Sequence, residues 1–292
     1  MSIRTIIVPL DGSESSIAAM EAALAVGKTF GSHVEVLHVK PDARAAVPLL
    51  GEGMSGAMIE EMISLAEQEG SERSQKAQKL FTDFCNANSI HIYDRETETP
   101  GPAELITAGW LVVTGREDEQ IGRTARLADL VVVARAPDGS EFTSGSVLNA
   151  ALFESGRPVL LAPPEMPSEF GKTVAVAWNG SAESARAVSG ALPFLKKAEK
   201  VYALTADTER TDQVVSNDLA DFCAWHGIKA EAIGFSPAGH SVGEAVLMEC
   251  EKLKADMLVM GAYTHSRMRQ LILGGLTDHV LHNTTIPVLM AH

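Results

Sequence analysis

The sequence predicts an α/β protein built as two tandem, doubly wound, five-stranded parallel sheets, and three observations carry that expectation. Short Val/Ile/Leu-rich runs alternate with segments of helical period, as in strand–helix–strand units. The apolar runs are continuous and do not alternate with polar residues, which marks strands covered on both faces. The whole pattern then occurs twice along 292 residues, a length that suits two domains better than one.

Taken in order, "TIIVPL" meets an Asp-Gly turn and reads as a buried strand, not as a signal peptide. A helix follows, with Ile17, Met20 and Leu24 spaced along one buried face. "VEVLHV", "HIYDRE", "DLVVVA" and "PVLLA" are the next expected strands, each separated from the last by a helical segment. In the second half "KTVAVAWNGSAESARAVSGAL" (172–192) lies over "RTIIVPLDGSESSIAAMEAAL" (4–24), so that Ala185, Val188 and Leu192 take the places of Ile17, Met20 and Leu24. "DFC" recurs at 83–85 and 221–223, "LADLVVVA" (127–134) matches "KADMLVMG" (254–261), and "RPVLLAP" (157–163) matches "IPVLMAH" (286–292). The first half is longer, with insertions within 41–75 and near 110–122. "PPEMPSEFG" (163–171), proline-rich and without apolar period, separates domains of 1–164 and 171–292.

Composition removes several function classes. Hydrophobic residues at 46% and charged residues at 21% are those of a soluble globular protein, and no run approaches the roughly 20 apolar residues that span a bilayer. A cytoplasmic protein with no membrane partner is expected. The net charge of −14 opposes a nucleic-acid partner, and no Lys/Arg run with interleaved aromatics offsets it locally. Cys85, Cys223 and Cys250 sit in apolar helical patterns, which favours reduced, buried thiols over disulfides or zinc.

Doubly wound sheets bind ligands beyond the carboxyl ends of their strands, where strand order reverses. Asp11-Gly12-Ser13 and Asn179-Gly180-Ser181 follow the first strand of each half; glycine permits the tight turn and the serine can cap the helix. Asp11 could also accept hydrogen bonds from a ribose or base. Near the end of the chain Gly261 closes the strand "DMLVM", Gly274-Gly275 precedes the last helix, and Thr264, His265, Ser266, Arg267 and Arg269 lie between them. Unpaired amides at a helix start attract anions, glycines let the backbone come close, and Thr277 adds a hydroxyl donor. A plain loop and helix cap would use the same residues, so both readings stand at this point.

Over nearly all 292 residues the chain resembles a tandem universal stress protein, apart from the two insertions. That family is marked by an Asp after the first strand and by Gly-x-x-Gly, nine residues, then Gly-Ser/Thr after the fourth, which bind the ribose and phosphates of ATP in members that bind it. The resemblance implies Rossmann-like sheets of the adenine nucleotide alpha hydrolase type. Gly261 and Gly274 hold the first and third glycine positions; Thr264 stands at the second, Gly275 where Ser or Thr follows, and Asn179 where the Asp belongs. Trp178 could stack on adenine or fill its place, the core role being the commoner one. The N-terminal half departs in the complementary way: Asp11 and Gly145-Ser146 are kept, but Ala134 replaces the first glycine and "RAPDGSEFTS" shortens the loop. The implied site is therefore Ala177, Trp178, Asn179, Ala206, Gly261, Thr264, Arg267, Gly274, Gly275 and Thr277, with a weaker one at Pro9, Asp11, Val39, Gly145 and Ser146. Its ligand would be ATP or another adenine nucleotide, with or without magnesium, or none; loop length and Arg267 and Arg269 favour the C-terminal half.

Weaker signals have simpler explanations. His279 and His282 are spaced for a metal but lack a third ligand, and His38 and His240 fit ordinary polar capping. No Gly-x-Ser-x-Gly elbow or Walker-type Gly-x-x-x-x-Gly-Lys-Ser/Thr is present, so no catalytic residue is assigned. Met54, Met58 and Met62 form an i, i+4 stripe, usual in core packing but suited also to an adaptable lid or partner surface, while Glu60, Glu61, Glu67, Glu69 and Glu72 read as solvated. "TGREDEQIGRTARLAD" is expected to be exposed decoration. Three readings result: non-catalytic nucleotide binding or sensing in a stress response, a partner-binding protein that has lost nucleotide, and a slow ATPase. The halves are expected to form an intramolecular pseudo-dimer through "PVLLAP" and "PVLMAH", with a homodimer of the whole chain left open.

Overall fold

The structure is a computed structural model and describes residues 2–13, 15–43, 55–101, 105–135, 144–207, 216–263 and 275–292, with backbone alone at 144, 145 and 216. The first half runs β1 (Thr5–Pro9), α1 (Ser15–Phe30), β2 (His33–Lys40), α2 (Gly56–Ala87), β3 (His91–Ile92), β4 (Thr107–Thr114), α3 (Glu117–Ala125), β5 (Leu130–Ala134), α4 (Ser144–Glu154) and β6 (Val159–Ala162). The second runs β7 (Thr173–Ala177), α5 (Ala182–Leu195), β8 (Lys200–Ala206), α6 (Ser216–Trp225), β9 (Ala230–Phe235), α7 (Val242–Lys252), β10 (Met257–Gly261), α8 (Leu276–Asn283) and β11 (Val288–Ala291). Among the described residues no helix is long and apolar enough to cross a membrane.

The two expected sheets are joined into one of 11 strands, in the order β3-β4-β2-β1-β5-β6-β11-β10-β7-β8-β9. Every neighbouring pair is parallel except β6 and β11, which run antiparallel with Val288 opposite Leu161 and Met290 opposite Val159. These are the two segments expected to join the halves, and each satisfies the edge that the other would leave bare. Five strands per half holds for the second half only. In the first, "HIYDRE" yields just the two-residue β3, because Asp94 accepts the Glu96 amide (2.9 Å) and the Thr97 hydroxyl (2.8 Å) and so turns the chain out of the sheet. The place beside β2 goes to β4, paired from His33 with Thr107 to Lys40 with Thr114. Residues 114–129 are accordingly not exposed decoration: they end β4 and form α3, whose Ile121, Gly122 and Ala125 are buried.

Two apolar layers cover the sheet, continuous across both halves. One lies under α1, α2, α5 and α6, with Met20, Phe81, Val188 and Cys223. The other lies under α3, α4, α7 and α8, with Ile121, Leu148, Val246 and Val280. At the junction Phe30 of α1 meets Phe194 of α5 edge-on, with centroids 5.3 Å apart, and Phe153 of α4 meets His292 at 4.4 Å. The duplication extends to a backbone clamp. Asp129 accepts the amides of Arg4 (2.8 Å) and Thr5 (3.0 Å), and Asp256 accepts those of Gly171 (2.9 Å), Lys172 (3.1 Å) and Thr173 (3.0 Å), tying the entry to β1 and β7 to the strand that follows each aspartate.

All three cysteines are free and buried, and burial pushes the thiols of Cys85 and Cys250 up to about 11 and about 12, so they are inert at neutral pH. The methionine stripe departs from core packing. Met54 lies outside the described residues, while Met58 and Met62 are exposed on the first turns of α2, where no residue from 56 to 69 is buried.

Candidate functional site

Strand order reverses between β1 and β5 in the first half and between β7 and β10 in the second, so the carboxyl ends of these strands define two switch points. At both, the chain leaves its strand through the same turn. The Ser13 amide donates to Asp11 Oδ1 (2.9 Å) and the Ser181 amide to Asn179 Oδ1 (3.1 Å), with φ of 87° at Gly12 and 71° at Gly180. The turn needs only a side-chain oxygen, which explains why Asp and Asn both serve; the charge belongs to Asp11 alone.

In the C-terminal half the end of β10 packs directly against α5. A β-carbon at Gly261 would stand 2.6 Å from the Ser184 nitrogen, so this glycine admits the first turn of α5 against the end of β10. Ser181 caps that helix, accepting the Ser184 amide at 3.1 Å. Ala177 is buried at the end of β7. Trp178 is half-buried against the core; its backbone amide donates to the Leu204 carbonyl (2.8 Å), and its indole Nε1 is enclosed without a partner among the described residues. Asn179 is exposed, and Ala206 ends β8. Gly275 is the N-cap residue of α8 and makes no side-chain cap bond; the buried Thr277 hydroxyl accepts the Tyr263 amide (3.1 Å), tying α8 to the chain just past β10. Thr264, Arg267 and Gly274, with His265, Ser266 and Arg269, lie outside the described residues.

The N-terminal half, expected to be the weaker one, is open at its switch point. A cavity of about 40 Å³ lies directly at the switch point between Pro9, Asp11, Ser16 and Ala134. It adjoins a pocket of about 670 Å³ over the ends of β1, β2 and β4, lined by Asp11, His38, Val39, Asp42, Arg73, Arg116, Glu117, Asp118, Glu119 and Ser146. Of the weaker set, Pro9, Asp11, Val39 and Ser146 thus converge, and Gly145 lies in the first turn of α4. Much of the wall was missed from sequence, because it comes from the insertions: Gly70 and Arg73 from α2, and Gly115 to Glu119 from the end of β4 and the start of α3. His38 is buried, with Nδ1 2.8 Å from the Leu10 carbonyl and its ring stacked on Trp110 at 5.8 Å, so it supports the pocket floor and is no simple cap.

Charge in this pocket is mostly negative. Burial opposes ionisation of Asp11, but hydrogen bonds from Ser13 and Ser16 outweigh it and hold the carboxyl below its usual range. Glu117 is pushed upward by burial and then by the charges of Asp11 and Asp118. Arg116 is held by Asp118 in a two-point contact (3.2 and 2.7 Å), whereas Arg73 has no ion-pair partner among the described residues. Elsewhere, His282 Nδ1 bonds the Asp278 carbonyl (2.7 Å) and His240 pairs with Glu244 (2.9 Å). No group of three or more His, Cys, Asp or Glu among the described residues could hold a metal ion.

The model of the universal stress protein family matches residues 2–163 and 231–292. The chain belongs to the universal stress protein family. A universal stress protein of Synechocystis sp. is 22% identical over 306 aligned positions, covering 98% of this chain and 99% of that one. Among solved structures, a universal stress protein of Archaeoglobus fulgidus aligns over 98% of this chain and 97% of its own, at 18% identity and a TM-score of 0.64. A protein of unknown function from Pseudomonas aeruginosa aligns over 98% and 92%, at 15% identity and a TM-score of 0.52. At these identities the solved structures establish that the α/β fold is shared across the full chain of this universal stress protein.

Proposed function

We propose that this universal stress protein binds an adenine nucleotide without turning it over, and that the N-terminal crevice is the principal seat. The observation that carries the reading is the pocket of about 670 Å³ at a switch point, within the range of roughly 300–1,000 Å³ usual for small-molecule sites, with Asp11 at its edge. Asp11 lines the crevice with its carboxyl held below the usual range, so a ribose hydroxyl or an exocyclic amine would find an ionised acceptor there. Arg73 is the cation available for phosphate. Five carboxylates against two arginines make the crevice a poor host for a triphosphate, so a monophosphate fits it better than ATP does. The C-terminal set around Gly274 remains a second seat in this reading, with Arg267 toward phosphate.

Isothermal titration with AMP, ATP and inorganic phosphate tests the proposal. The expected result is heat with AMP, less with ATP and none with phosphate, lost in Asp11→Ala. Heat that survives Asp11→Ala but disappears in Gly274→Val moves the seat to the C-terminal half, and none with either nucleotide overturns nucleotide binding.

A second reading, a partner-binding protein without nucleotide, is favoured by one observation: Gly261, the first glycine of the motif, is accounted for by packing against α5. Slow ATP hydrolysis has no such support, and phosphate release above a no-protein control would establish it.

A further inference from the structure

The first turns of α2 stand clear of the fold. From Gly56 to Glu69, about 20 Å of helix, no residue is buried, and burial begins only at Gly70 and continues through Ser74, Ala77, Phe81 and Cys85. Met58, Met62 and Leu65 are 52%, 39% and 57% exposed, and with the half-exposed Ile59 and Ile63 they occupy one continuous side of the helix at i, i+4, i+7 spacing. Helical geometry sets Glu60 and Glu67 along one border of this apolar strip and Glu61 along the other, with Glu69 on its line one turn past Leu65, closing its C-terminal end. No lysine or arginine occurs between Gly56 and Glu72. Ser55 caps the helix start by accepting the Met58 amide at 3.4 Å, so this part of α2 has its own local stop.

We propose that the Met58/Met62/Leu65 face of α2 is a docking surface for a partner helix that is apolar on one side and basic on its flanks. Apolar side chains on a solvated helix face gain by being covered, and methionine adapts its shape to whatever covers them. The glutamate borders select the partner's charge: lysine or arginine flanks would be attracted along the whole contact. A second copy of the same helix would bring glutamate against glutamate, and an anionic lipid surface would be repelled. The surface is remote in sequence from Asp11 and Gly274, and the proposal stands whether or not nucleotide binds.

The test uses the full chain and a labelled synthetic peptide built on the repeat Leu-Lys-Lys-Leu-Leu-Lys-Leu, with the Leu-Glu-Glu-Leu-Leu-Glu-Leu peptide as its counterpart, followed by fluorescence anisotropy. The lysine peptide is expected to bind and the glutamate peptide not. Affinity should fall at least about tenfold in Met58→Gln/Met62→Gln/Leu65→Gln, and weaken with salt less steeply in Glu60→Gln/Glu67→Gln. These positions are exposed, so unchanged thermal melting shows that the variants fold. Equal binding by the triple variant, equal binding of the two peptides, or no binding overturns the proposal. So does sedimentation showing a dimer that the triple variant dissociates, or co-pelleting of the wild-type chain with phosphatidylserine vesicles.

Discussion

Asp11 and Glu117 line the same N-terminal crevice and are displaced in opposite directions, the first held ionised by Ser13 and Ser16 and the second raised by burial and by the charge of the first. A carboxyl whose folded-state pKa is raised weakens the fold when ionised: the penalty is absent below the unfolded value of about 4.3 and complete above the folded one. Glu117→Gln should therefore be more stable than wild type at neutral pH, with the advantage vanishing on acidification below about pH 4. Asp11 has the reverse sign, contributing stability at neutral pH that is lost as pH falls through its depressed pKa. Urea denaturation at several pH values measures both; a Glu117→Gln advantage that persists in acid would remove the electrostatic account.

Gly261 makes a different kind of claim. A β-carbon there meets backbone, 2.6 Å from Ser184 N and 2.9 Å from the Glu183 carbonyl carbon, and neither atom can step aside without moving α5. Gly261→Ala should cost about 1–3 kcal/mol, the usual range for overpacking, with no ligand present. The first half already has Ala134 at the corresponding strand end, beside a cavity of about 40 Å³ that leaves room for it. Equal denaturation midpoints for wild type and Gly261→Ala would return this glycine to the ligand and away from packing.

Thr277 holds the same region from the other side. Its buried hydroxyl is the acceptor for the Tyr263 amide, and Thr277→Val keeps the shape while removing that acceptor. A loss of about 1 kcal/mol is expected, as for a part-buried amide deprived of its acceptor, and Thr277→Ser should restore most of it. Native-state hydrogen exchange at Tyr263 gives the direct readout: faster exchange in the valine variant and near-normal exchange in the serine variant.

Much of the fold was legible because strands buried on both faces leave continuous runs such as "IIVP" and "VLLA", and because the duplication repeats each of them. "HIYDRE" misled because its β-rich residues precede an Asp94 turn that withdraws the chain, whereas "TAGWLVVT", sitting after a Gly-Pro pair and ahead of a charged run, was absorbed into an apparent insertion. The crevice was legible only at Pro9, Asp11, Val39 and Ser146, the residues on or next to the repeated strands and helix. Its other wall depends on where two insertions fold back, and that is set by the burial of Phe81 and Ile121, which do not themselves line the pocket. The α2 surface could not be settled from periodicity, since an apolar stripe has the same spacing whether or not anything lies over it.

The two halves are joined by more than the β6–β11 ladder. Phe194 of α5 is 5% exposed and sits between Phe30 of the other half, edge-on at 5.3 Å, and Phe170 at 6.5 Å, with Lys197 above the Phe30 ring at 5.4 Å. Phe194→Ala removes a buried ring and should cost about 3–5 kcal/mol. The part of that cost belonging to contact between the halves is isolated by a double-mutant cycle with Phe30→Ala, for which edge-to-face geometry predicts a coupling of about 0.5–1.5 kcal/mol. Because the sheet is continuous and both apolar layers cross the junction, unfolding should remain one cooperative transition in wild type and separate into two in the double variant before either half loses its own core. Calorimetry distinguishes the outcomes: additive single-variant losses, or two transitions already present in wild type, would mean that the halves merely touch and do not stabilise one another.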